Sequence, residues 1–370
     1  MLHRAIATLR DTLRPHLGLS KDRVETLALI VVAMVSARTV NLSHLAAERP
    51  GVTLVASTYR RLQRFFQYVQ PGRDLGRDWA APIAAKLAGL TGSWYLALDR
   101  TQWKMGAREI NFLVLAAVTR RYRVPLLWTL LPGRGNSSTQ QRIALMRRYI
   151  KLFGVSSIRL LLADREFIGH AWADFLCENN IPFAIRLRSD LRITTEDGHE
   201  LTLDARLHWR RRGKHFTGWL GTGTGRGRHR LSFIAKPLRD GDRRGDWLIL
   251  ATNAKPRFAL DAYRKRWAIE CLFGDAKTRG LNLEDTRLSD PRKLDLLMGL
   301  VALALAWAAR AARDLLGTKW PKRKAHGYLA KSWFRTGFDR IRNLLRSDPM
   351  EAIQPWCRIA RNPRKICRVV

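Results

Sequence analysis

Between residues 94 and 187 the chain lays down five short apolar runs, and their rhythm limits the possible folds more than any other feature. The runs are WYLALD (94–99), INFLVLAAV (110–118), PLLWTLL (125–131), IRLLLA (158–163) and PFAIRL (182–187). Nearly continuous apolar stretches of this length, separated by turn or basic residues, suit strands buried on both faces. GRGNSSTQQ opens a helix over about residues 140–153, and DREFIG precedes another over about 170–179. Three strands, a helix, a strand, a helix and a strand predict an α/β layered core. Two of the runs end on an acid, Asp99 after YLAL and Asp164 after LLLA. A single Asp after a strand is most often a turn former or a helix cap. Two acids at the ends of buried strands can instead emerge from a sheet edge into a cleft.

The flanks read differently. Residues 1–90 are expected to be all-helical, with segments at 2–16, 22–38, 43–47, 58–69 and 74–90; Asn41 and Ser57 serve as N-caps, and Pro50 and Gly51 interrupt the pattern. The fourth segment mixes Arg60, Arg61 and Arg64 with Tyr59, Phe65, Phe66 and Tyr68. It suits a helix with aromatics inward and arginines toward phosphate, and equally an amphipathic helix with a merely basic outer face. Residues 190–250 hold short alternating runs, the basic knot RRRGK at 210–214 and the turn GTGTGRGR at 221–228, which predict a β-rich insertion. GTGTGRGR is not a phosphate loop, since no Lys-Ser/Thr follows it and no helix opens behind it. The apolar run 294–309 contains Asp295 between Lys293 and Arg310 and falls short of the roughly 20 residues a bilayer needs, so it is expected as a buried core helix. The expected divisions are 1–90, 91–189, 190–250, 251–318 and a basic tail, 319–370, carrying Trp320, Trp333 and Trp356.

Charge names the kind of partner. Lys and Arg number 67 against 31 Asp and Glu, a formal net charge of +36 spread over the whole chain. A field of that sign calls for a polyanion. No membrane anchor and no signal-like start are evident, and the four cysteines (Cys177, Cys271, Cys357, Cys367) form no CxxC pair. The expectation is a cytoplasmic protein with reduced thiols, without structural zinc, and associated with the nucleoid when bound to DNA.

Residues 258–279, FALDAYRKRWAIECLFGDAKTR, read as one helix. Ile269, Leu272, Phe273 and Ala276 gather on an apolar side, while Tyr263, Arg266, Glu270 and Lys277 fall within about 60° of arc on the other. A solvated face with an ordinary Arg–Glu pair is the plain reading of such a stripe. Together with Asp99 and Asp164, however, Glu270 makes three hard oxygen ligands from two strands and a helix. Such a set can hold two Mg²⁺ or Mn²⁺ ions about 3.5–4 Å apart for in-line displacement at phosphorus. Glu166, two residues beyond Asp164, competes for the third place.

The spacing Tyr-x2-Arg-x3-Glu-x6-Lys resembles the YREK signature of DDE transposases of the insertion sequence four family. LALDRTQWKMG, LLADREFIG and WLILATN resemble that family's surroundings of the first Asp, the second Asp and the strand before the Glu helix. The resemblance implies an RNase H-like catalytic core, preceded by a helical N-terminal DNA-binding region and interrupted by a β-rich insertion. It implies Asp99, Asp164 and Glu270 as catalytic, metal-binding acids with two Mg²⁺ or Mn²⁺ ions. Tyr263, Arg266 and Lys277 become binders of DNA phosphates, and Trp247, at the head of WLILATN, a residue that stacks on a flipped base, with sheet packing as its alternative. The expected function is that of a bacterial insertion-sequence transposase, which cuts at the element's terminal inverted repeats and joins them to target DNA, cut-and-paste through a hairpin. At least a dimer is expected on DNA. The rivals are a metal-dependent nuclease with the same acids and a non-catalytic DNA-binding protein descended from a transposase.

Overall fold

The structure, a computed structural model, describes residues 1–360 except 120, 208–213, 239–246 and 326. Five helices come first: α1 (Leu2–Leu13), α2 (Lys21–Ala37), α3 (Leu42–Ala47), α4 (Val55–Tyr68) and α5 (Ala80–Ala88). Then follow β1 (Trp94–Met105), β2 (Arg108–Val118), β3 (Arg123–Leu130), α6 (Thr139–Phe153), β4 (Ile158–Ala163), α7 (His170–Glu178) and β5 (Phe183–Leu187). The insertion holds β6 (Arg192–Thr195), β7 (Glu200–Thr202), a short α8 (Leu203–Leu207), β8 (Lys214–Leu220) and β9 (Leu231–Pro237). The chain returns through β10 (Trp247–Thr252), α9 (Pro256–Tyr263), α10 (Trp267–Ala276) and α11 (Pro291–Leu316), and ends in α12 (Trp333–Ser347) and α13 (Pro349–Ala360).

These elements form two compact units, one of residues 1–91, 100–134 and 270–370, the other of 92–99 and 135–269. The first unit is built on α11. Asp290 caps that helix by accepting from the backbone N–H groups of Arg292 and Lys293, Pro291 occupies its first turn, and Gly317 follows its last. Every residue from Leu296 to Ala309 is buried, against α2, α5, α12 and β3. Asp295, the one charge in the expected apolar run, accepts a hydrogen bond from the Trp128 indole N–H at 2.5 Å. The helix spans 26 residues, running past the apolar run at both ends, and is long and apolar enough to cross a membrane; 89% of its most apolar window is nevertheless buried inside the protein. In the same unit β2 pairs antiparallel with β3.

In the second unit the strand order is β1-β4-β5-β10-β9-β8-β6-β7. β1 and β5 run parallel to β4 on either side, and β10 closes antiparallel on β5. The insertion is antiparallel in the spatial order β7-β6-β8-β9, with β6 between β7 and β8, and GTGTGRGR forms the β8–β9 turn. Arg210, Arg211 and Arg212 of the basic knot lie outside the described residues. The mixed α/β architecture and its element order are consistent with an RNase H-like core.

Several expectations are corrected. β1 does not stop at Asp99 but continues to Met105, because Thr101 and Trp103 turn inward while Gln102 and Lys104 turn outward, a period of two that a search for solid apolar runs passes over. The α4 helix begins at Val55, so Ser57 lies within it and is not its cap, whereas Asn41 does cap α3. Residues 258–279 are not one helix: a 3-10 turn, Arg264–Arg266, separates α9 from α10. Within the expected basic tail, helices α12 and α13 bury Trp333 and Trp356.

Candidate active site

The site in the second unit is set by strand register. Parallel pairing of β1 and β4 matches Leu96 with Leu161, Ala97 with Leu162 and Leu98 with Ala163. The next residue on each strand is an acid, so Asp99 and Asp164 emerge side by side although 65 residues apart in sequence (164 − 99). Both are partly shielded, with 17% and 29% of their side chains exposed. Pro256 at the start of α9 and the 3-10 turn after it carry Arg266 onto the pair. Its Nη1 lies 3.5 Å from Asp99 Oδ2 and 4.0 Å from Asp164 Oδ2, with only 11% of the side chain exposed. One guanidinium therefore balances two adjacent carboxylates in a half-buried setting, where charges interact more strongly than on the open surface.

Tyr263 supports the arrangement from behind. It is buried, and its hydroxyl donates to the Ala163 carbonyl, the residue before Asp164, at 3.3 Å. Burial pushes its phenol above the ordinary range, with Arg266 drawing it back, so the group is a neutral donor. This departs from the polar stripe of the sequence reading: the 3-10 turn changes the angular step, and Tyr263 turns inward while Arg266 stays at the acids.

Each of the other expected residues is placed within its own unit. Glu270 opens the first unit's share of α10, half-buried in that helix's first turn. Lys277 belongs to the same unit, where it donates to the Gln102 carbonyl at 2.8 Å and pairs with Glu284 at 2.9 Å. Trp247 heads β10, half-buried and in register with Pro237. Of the α4 arginines, Arg60 and Arg64 are exposed. Arg61 instead binds Thr26 Oγ1 at 2.8 Å and Glu25 at 3.3 Å, tying α4 to α2.

One residue escaped the sequence reading. Arg142 is buried on α6, its Nη2 donating to the Ser137 carbonyl at 3.1 Å while its Nη1 has no hydrogen-bond partner. Burial lowers the pKa of its guanidinium, and nearby Glu166 pulls it back up. The available signal was an arginine at the position that continues the Leu145, Met146 and Tyr149 stripe, since a charge on an apolar face demands a local reason.

Among the described residues no three His, Cys, Asp or Glu side chains gather as a ready metal cage. Asp99 and Asp164 still fit a hard divalent cation in chemistry: both are carboxylates, they emerge together, and Asp164 Oδ1 is buried without a hydrogen-bond partner. No curated protein matches the chain. Residues 90–307, which take in β1 to β10 and most of α11, match the family model described as the transposase DDE domain. That match spans more than half of the chain and contains the paired acids with their arginine, and the chain therefore belongs to the transposase DDE domain family.

Proposed function

We propose that this transposase cleaves DNA strands at the ends of an insertion sequence and joins them to target DNA, with Asp99, Asp164 and Glu270 as its catalytic acids. The observation that carries the reading is the register pairing of Asp99 with Asp164 under Arg266, inside the segment that matches the family. Asp99 and Asp164 would hold Mg²⁺ or Mn²⁺, and Glu270 would complete the set. When bound, such ions activate the attacking oxygen and stabilise the leaving one during displacement at phosphorus.

The chain's own residues supply the rest. Arg266 offers a forked donor that can exchange a carboxylate for a substrate phosphate as DNA enters. Tyr263 holds the backbone at Ala163, and through it the outlet of Asp164, in place. Lys277 provides a point charge that must leave Glu284 to reach phosphate, and Trp247 an aromatic face on which an unpaired base can stack. Membership of the insertion sequence four family, a cut-and-paste route through a hairpin and at least a dimer on DNA belong to the same proposal, and they rest on the YREK spacing.

The test uses a labelled duplex carrying the inverted repeat that flanks the gene, incubated with the purified chain and either Mg²⁺ or Mn²⁺. Nicking at the repeat boundary followed by a hairpin or joined product is expected from the wild type. Asp99→Ala and Glu270→Ala should each lose it while still binding the duplex. Cleavage that never yields a joined strand favours the nuclease, and specific binding without cleavage under either metal favours the non-catalytic descendant.

A further inference from the structure

The helix α4 buries Thr58, Leu62, Phe65 and Phe66 against its neighbours α2 and α3. Its opposite side presents Ser57, Arg60, Gln63, Arg64 and Gln67, which at 100° per residue share an arc of about 120°. An ordinary solvated face would mix Glu with Lys in paired spacings. From Gly51 to Gln70 there is neither an acid nor a lysine. What stands there is the set of side chains whose geometry matches base edges: arginine forks for guanine, glutamine amides for adenine, and a hydroxyl that suits either. Ahead of them Val52, Leu54 and Val55 are 104%, 73% and 52% exposed, a cluster of branched apolar groups of the kind that meets thymine methyls.

The three arginines of this helix divide their work. Arg61 is spent on Thr26, Asp22 and Glu25 of α2 and holds the helix in its place, while Arg60 and Arg64 face outward. Along one edge of α4 runs a cleft of about 360 Å³ in which Arg64, Tyr59 and Tyr68 face Arg287 and Lys293. Such a lining, with cations on both walls and aromatic rings beside one of them, suits a sugar–phosphate strand beside the helix.

We propose that α4 is a sequence reader laid in the major groove of duplex DNA, with Ser57, Arg60, Gln63, Arg64 and Gln67 against the base edges and Arg287 and Lys293 on a bordering phosphate strand. The inference rests on the DNA-cleaving reading above and adds which element chooses the sequence. The occupant is duplex DNA because the face is cationic without an acid, because a single helix fits a groove about 12 Å wide, and because bidentate side chains stand in a row.

The experiment is selection from a pool of random duplexes, run with the wild-type chain and with a Gln63→Ala/Arg64→Ala double variant. Both positions lie off the buried side of α4, and the melting temperature serves as the check on folding. The wild type should enrich a motif with purine preferences at neighbouring positions, and the double variant should lose those preferences. Affinity for the wild-type motif should fall roughly 10- to 100-fold, and affinity for unrelated duplex only a few-fold. Replacing the motif's purines by 7-deaza analogues, which removes the major-groove N7 acceptor, should weaken the wild type and leave the variant nearly unchanged. The proposal is overturned if both proteins enrich the same motif with the same discrimination, if 7-deaza purines have no effect, or if the wild type binds every duplex equally. That last result leaves the DNA-cleaving reading standing. No binding to any duplex overturns both.

Discussion

Arg266 draws its importance from two carboxylates that strand pairing puts side by side. Without a cation between them, adjacent Asp99 and Asp164 would repel. A second charge pair is purely structural. Asp275 is 2% exposed and accepts from Arg123 through Nε at 2.9 Å and Nη2 at 2.6 Å. Burial raises the pKa of its carboxyl, and Arg123 works against that shift. Arg123→Ala leaves a buried acid with both hydrogen bonds to Arg123 lost and only the looser Arg279 Nε contact at 4.0 Å, and should cost about 3–5 kcal/mol, read as a shift of the urea unfolding midpoint. His16 supplies a pH-dependent contribution. Burial, helped by Lys86, lowers its pKa below the ordinary 6.5, and its Nε2 is buried without a hydrogen-bond partner. A base depressed in the folded state stabilises the fold above its unfolded pKa and loses that contribution as pH falls through the folded value. Stability should therefore decline below pH 6.5, and His16→Leu should flatten that part of the profile in unfolding titrations at successive pH values.

At the scale of elements, the close approach of α12 to α11 depends on one missing side chain. A Cβ on Gly337 would land on the carbonyl oxygen of Ala308 and on Ala312, both backbone neighbours that cannot swing aside. Gly337→Ala should therefore destabilise by about 1–3 kcal/mol or more, despite the better helix propensity of alanine, and calorimetric melting of variant against wild type decides it. The same reasoning explains why residues 333–360 are integral to the first unit. Phe338 and Ile341 of α12 and Trp356 of α13 are buried, and Trp307 of α11 donates its indole N–H to the Ala352 carbonyl at 3.1 Å. The 3-10 turn between α9 and α10 is likewise an element with consequences. It lets Tyr263 point inward and Arg266 reach the acids from neighbouring turns of the chain.

For the whole molecule, the excess of 67 basic over 31 acidic residues sets the behaviour toward DNA more than any single contact. Binding to duplex should fall linearly on a log–log plot against salt, with a slope of about −0.9 for each phosphate neutralised. Arg287→Ala/Lys293→Ala should reduce that slope by about 2 in fluorescence anisotropy titrations, since each removes one phosphate contact whatever the sequence. An unchanged slope would mean that the cleft beside α4 carries no strand.

The sequence by itself determined the order of strands and helices from Trp94 to Leu187, the buried character of α11, and the acids at Asp99 and Asp164. Those features are written in local periodicity and in runs a few residues long, so they survive without knowledge of contacts. Only the tertiary structure decided that the two acids stand next to each other, because parallel register is set by side chains 65 positions apart (164 − 99). It alone separated Arg61, bound to α2, from Arg60 and Arg64, since all three share one helix and one residue type. It also turned Tyr263 from an expected surface donor into a buried support, and showed that the expected tail holds the packed helices α12 and α13. In each case the deciding energy is burial against a partner remote in the chain, and no local pattern records which partner that is.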